Sequence, residues 1–132
     1  MIKQARLRNG IRVIMEPMGN LRSVSIGVWV NAGSVYEEGA DAGISHFIEH
    51  MVFKGSARRS AADIAAEMDA VRGNLNAFTA KECTCFYAKV LDENLPLAVD
   101  VLSDITLHPA MDEQEMEKEK RVVVDCFGHH GC

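Results

Sequence analysis

His46, Glu49 and His50 are the residues of this chain best equipped for chemistry, in the order His46-Phe47-Ile48-Glu49-His50. They spell H-x-x-E-H, the reverse of the H-E-x-x-H zinc signature. On a helix, residues four apart share a face, so both imidazoles can point at one ion. Imidazole nitrogen suits zinc, which takes its ligands in a tetrahedron. Glu49 reaches the same site, where a carboxylate can take a proton from a polarised water. Two ligands and a base are in place, and a third protein ligand has to come from elsewhere. The alternative is a pair of helix histidines hydrogen-bonded in a core or at the surface.

The elements that carry these residues are legible along the chain. Gln4–Arg8 and Ile11–Glu16 alternate around Asn9-Gly10, the signal for a two-residue type I′ hairpin. Ser23–Asn31 alternates again and puts Val24, Ile26, Val28 and Val30 on one buried face. A loop rich in glycine and acid follows over Gly33–Gly39. Residues 42–53 have helical apolar spacing, with Gly55 to end the helix. Ser60 with Asp63 three residues on predicts a capped second helix that stops near Gly73. Asn74–Thr79 and Thr84–Leu91 read as strands around a charged turn at Lys81-Glu82. Asp92–Leu107 reads as a helix with Leu95, Val99, Leu102 and Ile105 on its core stripe, and Pro96 in its first turn. Asp112, with Glu115 three residues later, opens a last helix from Glu113 to about Asp125.

The predicted order is β-β-β-α-α-β-β-α-α. It implies an α+β fold, an antiparallel sheet with helices packed on one face. With 132 residues, 48% of them hydrophobic, one domain with a real core is expected. The formal charge of −5 and the lack of a basic cluster argue against nucleic acid. No apolar run is long enough to span a membrane. The N-terminus lacks the apolar core of a signal peptide, which makes a cytoplasmic location the expectation. Cys83 and Cys85 do not fit a C-x-x-C motif, and free thiols packed on one strand face are expected for them.

Residues 42–56, from Ala42 through the H-x-x-E-H stretch to Ser56, closely resemble the active-site helix of the inverzincin metallopeptidases. That family includes pitrilysin, insulin-degrading enzyme and the mitochondrial processing peptidase. Residues 73–82 (Gly73 to Glu82) resemble the strand after the second helix in the shorter bacterial and mitochondrial members. Tyr87–Leu91, Leu95–Ala98, Glu115–Lys120 and Val122–Val124 continue the likeness, which covers residues 1–125. The resemblance implies one zinc ion per chain, held by His46 and His50. It implies Glu49 as general base and Glu119 as an assisting residue seven positions before the third ligand. It also implies that Asn74, Asn76, Ala77 and Phe78 lie on an edge strand that binds an extended peptide substrate. For Glu119 the alternative is an ordinary charge on the solvated Glu-Lys run.

The chain departs from that pattern at one ligand. The third ligand implied by the resemblance is a glutamate, and its place is held by Cys126. Thiolate is a good zinc ligand, so Cys126 is the candidate. Residues 126–132 no longer resemble the family. The expectation is therefore a truncated N-terminal domain over 1–125 with a short unrelated tail, for which a shifted reading frame after Asp125 is one explanation. A second lobe or partner subunit is implied, and weak or no peptidase activity is expected from the 132 residues alone. The competing expectation is a non-catalytic metal- or peptide-binding module or partner subunit.

Overall fold

In the larger of two sheets the alternating residues have a core to bury on one face, and helices cover that face. The computed structural model describes residues 1–33 and 43–128, with side chains described through Arg121. The strands are β1 (Lys3–Arg6), β2 (Arg12–Met15), β3 (Ser23–Val30), β4 (Asn74–Thr79) and β5 (Thr84–Leu91). The helices are α1 (Ile44–Val52), α2 (Ala61–Ala70), α3 (Leu95–Leu107) and α4 (Glu113–Gly128). This is the expected α+β order, with a single 3₁₀ turn over Asp92–Asn94 added before α3.

The strands form two antiparallel sheets where one was expected: a β1–β2 ribbon, and a three-stranded sheet in the order β3-β5-β4. The ribbon has little to bury. All of β1 is exposed, and only Val13 of β2 is half-buried. The hairpin between them also differs from the two-residue turn. The Leu7 N–H donates to Ile11 O (2.9 Å) and the Gly10 N–H to Leu7 O (3.0 Å), which makes a three-residue loop. Gly10 alone takes the left-handed conformation (φ 93°), and the Asn9 side chain accepts from the Ile11 N–H (3.1 Å). A type I turn closed by a left-handed glycine is the usual three-residue solution.

In the larger sheet β5 is central. Its Phe86, Ala88 and Val90 are buried on the inner face, with Ile26 and Val28 of β3 and Leu75 and Ala77 of β4 packed around them. Ala98, Val101, Leu102 and Ile105 of α3, Ile64 and Met68 of α2, and Val52 of α1 complete this core. On α3, Leu102 and Ile105 are buried as expected, while Ala98 and Val101 join them and Val99 points outward at 44% exposure. Val30, expected on the buried face of β3, is also exposed. Truncating Leu102, which is 1% exposed, should cost about 2–5 kcal/mol, the range for emptying a packed site.

The outer face of the sheet is open but not bare. Trp29 and Phe78 both pair with Cys85 across the ladder, and their rings meet edge-on at 5.6 Å and 79°. Cys85 is buried beneath them, and burial raises its thiol pKa. Both Cys83 and Cys85 are free, as expected, although Cys83 sits just before β5 and not within it. No helix among the described residues is long and apolar enough to cross a membrane.

Candidate metal centre

Helix α1 starts after Gly43, whose φ of 87° is a conformation that side chains resist. Its last turn drives Met51 and Val52 into the core, at 0% and 3% exposure, and so fixes the rotation of the helix about its axis. The histidine face is left towards α4, which packs against α1.

The chain leaves α1 through Gly55, with φ at 126° and no room for a side chain, since a Cβ would lie 2.6 Å from Arg59 O. Ser56 Oγ then accepts from the Arg58 and Arg59 N–H groups (3.2 and 3.0 Å) and donates to Asp104 Oδ2 at 2.6 Å. Arg59 fans its guanidinium over three acids: Asp104 Oδ2 at 2.9 Å, Asp100 Oδ2 at 2.6 Å and Glu67 Oε2 at 2.5 Å. The Ser56 hydrogen bond leads the contacts that hold the Asp104 carboxyl below its ordinary range, against the opposing effect of burial; Arg59 and Arg58 add to it. This cluster anchors the exit of α1 to α3 and α2.

The predicted site residues lie at the other side of the same segment. His46 Nε2 and His50 Nε2 are 2.8 Å apart, with ring centroids 4.5 Å apart and a 30° tilt. Glu119 reaches in from α4, its Oε2 at 2.8 Å from His50 Nδ1 and its Oε1 at 2.8 Å from Lys54 Nζ. A carboxylate only accepts, so His50 Nδ1 carries a hydrogen; in the neutral ring its Nε2 then presents a lone pair, to which the His46 Nε2–H donates. Glu119 is 6% exposed, unlike Glu113 and Glu117 on the same helix, so it is not part of the solvated charge run. Burial pushes its carboxyl upward, but the bonds to Lys54 and His50 outweigh this and hold it below the ordinary range.

Glu49 is held from another side. Its Oε2 accepts a short hydrogen bond from Thr79 Oγ1, at the end of β4. Strand β4 is an outer strand of the sheet, the edge position expected for it. Asn74, Asn76 and Phe78 lie on its exposed face and Ala77 on its half-buried one. The Ala77 N–H donates to Asn76 Oδ1 at 2.8 Å. Cys126 lies in α4 seven residues beyond Glu119, two turns along the same face. Its side chain falls outside the described residues, as do the 34–42 loop and residues 129–132.

Among the described residues, no group of three or more His, Cys, Asp and Glu side chains is arranged to hold a metal ion. What they offer is a two-nitrogen donor set. Zn–N bonds of ~2.0–2.1 Å at tetrahedral angles separate two ligating nitrogens by ~3.3 Å, so the imidazoles need open only ~0.5 Å from their 2.8 Å approach. The carboxylate behind His50 is the usual orienting partner of a metal-bound histidine. The residues present therefore fit zinc.

Two contributors escaped sequence reasoning. Thr79 could have been found from the period of β4, because it shares the inward face with Leu75 and Ala77 and yet is polar. Lys54 could have been found from its place four residues after His50. The Ser56–Arg59–Asp104 anchor has no local signature at all, since its partners are distant in the chain.

The sequence profile of the insulinase family, peptidase family M16, matches residues 12–127. An uncharacterised zinc protease of Bacillus subtilis, YmxG, is 50% identical over 125 residues, which is 95% of this chain and 31% of that protein. The beta subunit of the bovine mitochondrial-processing peptidase is 42% identical over 118 residues, covering 89% of this chain and 24% of the subunit. The crystal structure of a protease from Helicobacter pylori superposes with a TM-score of 0.89 at 25% identity, covering 95% of this chain and 30% of the other. The chain thus spans a third or less of the length of these relatives.

Proposed function

The chain belongs to the insulinase family, peptidase family M16, and on that footing we propose that it supplies the zinc site of a metalloendopeptidase, with His46 and His50 as ligands, Cys126 as the third ligand and Glu49 as general base. The observation that carries this reading is the approach of the two Nε2 atoms, 2.8 Å apart, with the Glu119 carboxylate set on the far nitrogen of His50. Zinc, when held there, supplies a Lewis acid that lowers the pKa of water towards ~7.

The protein groups then have separate tasks. Glu49 takes the proton from the attacking water and passes it to the leaving amine. Thr79 holds Glu49 in place from the end of β4, so base and substrate strand share one support. The outer edge of β4 accepts an extended peptide through main-chain hydrogen bonds. That peptide displaces the Asn76 side chain from the Ala77 N–H and packs beside Asn74, Asn76 and Phe78. Glu119 keeps His50 in its ligating tautomer and touches no substrate. A His₂Cys set would hold zinc with three protein ligands and leave it able to bind water. A second lobe or partner subunit encloses the peptide, and the 132 residues alone give weak or no turnover.

A second reading, a zinc- or peptide-binding module without turnover, is favoured by Cys126, a thiol where the resemblance implies a glutamate. Zinc titration against a competing chelator, run beside cleavage of a quenched fluorescent peptide, separates the two. Wild type should take up one zinc, His50→Ala should lose it, and Glu49→Gln should keep the metal while losing any cleavage. A thiolate-to-metal charge-transfer band in the cobalt-loaded chain, absent from Cys126→Ser, tests the third ligand. Zinc uptake unchanged by His50→Ala would sink the metal-centre reading. Zinc uptake without cleavage when a second lobe or partner subunit is supplied, in Cys126→Glu as in wild type, would favour the binding module.

A further inference from the structure

We infer that Lys54 is a positioning residue of this centre: it occupies one oxygen of Glu119, fixes the other on His50, and so sets the His50 tautomer that can hold an ion. Its purpose rests on the metal-centre reading above, whereas its geometry does not.

The placement follows from α1. Lys54 comes four residues after His50, and its N–H still bonds back to Met51 O (3.1 Å), so the helical path continues one step past Val52. With Met51 and Val52 in the core, Lys54 is turned to the seam between α1 and α4. Its Nζ lies 2.8 Å from Glu119 Oε1 and 4.0 Å from Glu115 Oε2, which are one turn apart on α4. The Lys54 side chain is 38% exposed and Glu119 only 8%, so the ammonium spans from solvent to the buried carboxylate. Its hydrogen bond to Glu119 raises the Lys54 pKa, consistent with a fully charged partner.

A carboxylate is a rigid plane. With Oε1 held by Lys54, Oε2 has one direction left, towards the His50 ring. Without Lys54, a buried oxygen would lack a donor, and such a group turns to find one. The carboxylate would swing about its terminal torsion, and the ring would lose the fixed acceptor that keeps the hydrogen on Nδ1. Other cations are engaged by other acids: Arg58 and Arg59 by Asp100 and Asp104, Lys118 by Glu115, and Lys120 by Glu117.

The test compares the full chain with Lys54→Met, Lys54→Arg, Glu119→Gln and the control Lys118→Met. Long-range proton–nitrogen correlation spectra of the metal-free proteins read the His50 tautomer, and chelator competition with zinc alone reads affinity. Wild type and Lys54→Arg should show the Nδ1–H form. Lys54→Met should show a mixture of tautomers and a zinc Kd weaker by about 10-fold, the lower end for losing an orienting partner. Lys118→Met should resemble wild type, and Lys54→Met should add nothing in the Glu119→Gln background. A Lys54→Met protein with the wild-type tautomer and a zinc Kd within about twofold of wild type would overturn the assignment. So would a wild type in the Nε2–H form. If wild type takes up no zinc, the function proposed above fails, while the metal-free spectra still decide the role of Lys54. Should Lys54→Met fail to fold, Lys54→Leu, which also offers no donor, replaces it in the same comparison.

Discussion

Asp104 and Glu119 are both buried carboxylates, at 3% and 6% exposure, and both tie a helix to the segment that carries the histidines. Their partners differ. Asp104 meets a hydroxyl and two guanidinium groups, and the guanidinium groups keep their charge at any ordinary pH. Glu119 meets an ammonium and an imidazole, and the imidazole has a second nitrogen aimed at His46. One carboxylate closes its network, and the other passes orientation onward. The same burial thus serves anchoring on one side of α1 and ligand setting on the other.

Breaking Asp104 should have the largest effect. Asp104→Asn removes one partner of a buried ion cluster and should destabilise the fold by about 3–5 kcal/mol, read from the urea midpoint. The sign with pH follows from the lowered carboxyl. Its contribution is complete above the unfolded value near ~3.9 and is lost as pH falls through the lower folded value. Asp104→Asn should therefore flatten the decline in stability below about pH 4. Glu119→Gln should reverse the pattern, weakening zinc by about 10- to 100-fold in chelator competition with a much smaller loss of stability than Asp104→Asn. If both variants lose stability equally and zinc equally, the contrast is wrong.

Two smaller effects sharpen it. Thr79→Val should leave zinc affinity unchanged and lower peptide cleavage by about 10-fold in whichever preparation cleaves, because it touches the base and not the ligands. Ser60→Ala, at the capping box of α2, should cost about 1 kcal/mol and leave the centre untouched.

The sequence made the pair His46 and His50 plain because a helix turns four residues into one face. It made α2 plain through Ser60 and Asp63, whose reciprocal cap is local. It misled where a local rule had two outcomes. Asn9-Gly10 suits two turn types, and the Asn9 side chain bond to Ile11 selected the longer loop. The stripe on α3 was legible at Leu102 and Ile105 but not at Ala98 and Val101, which are buried where Val99 was expected. Lys54, Thr79 and Asp104 were hidden for another reason: each acts on a residue far away in the chain, and only packing brings the pair together.

The two rings that close over Cys85 come from opposite edges of the sheet, one from β3 and one from β4. Any event that parts either outer strand from β5 must therefore lift one of them and uncover the thiol. Cys83, half-buried just outside the strand, is the nearer target for a thiol reagent. The slower modification of Cys85 would then act as a clock for strand separation. Read while a peptide is added at the β4 edge, that clock would report whether the incoming strand locks the sheet or loosens it.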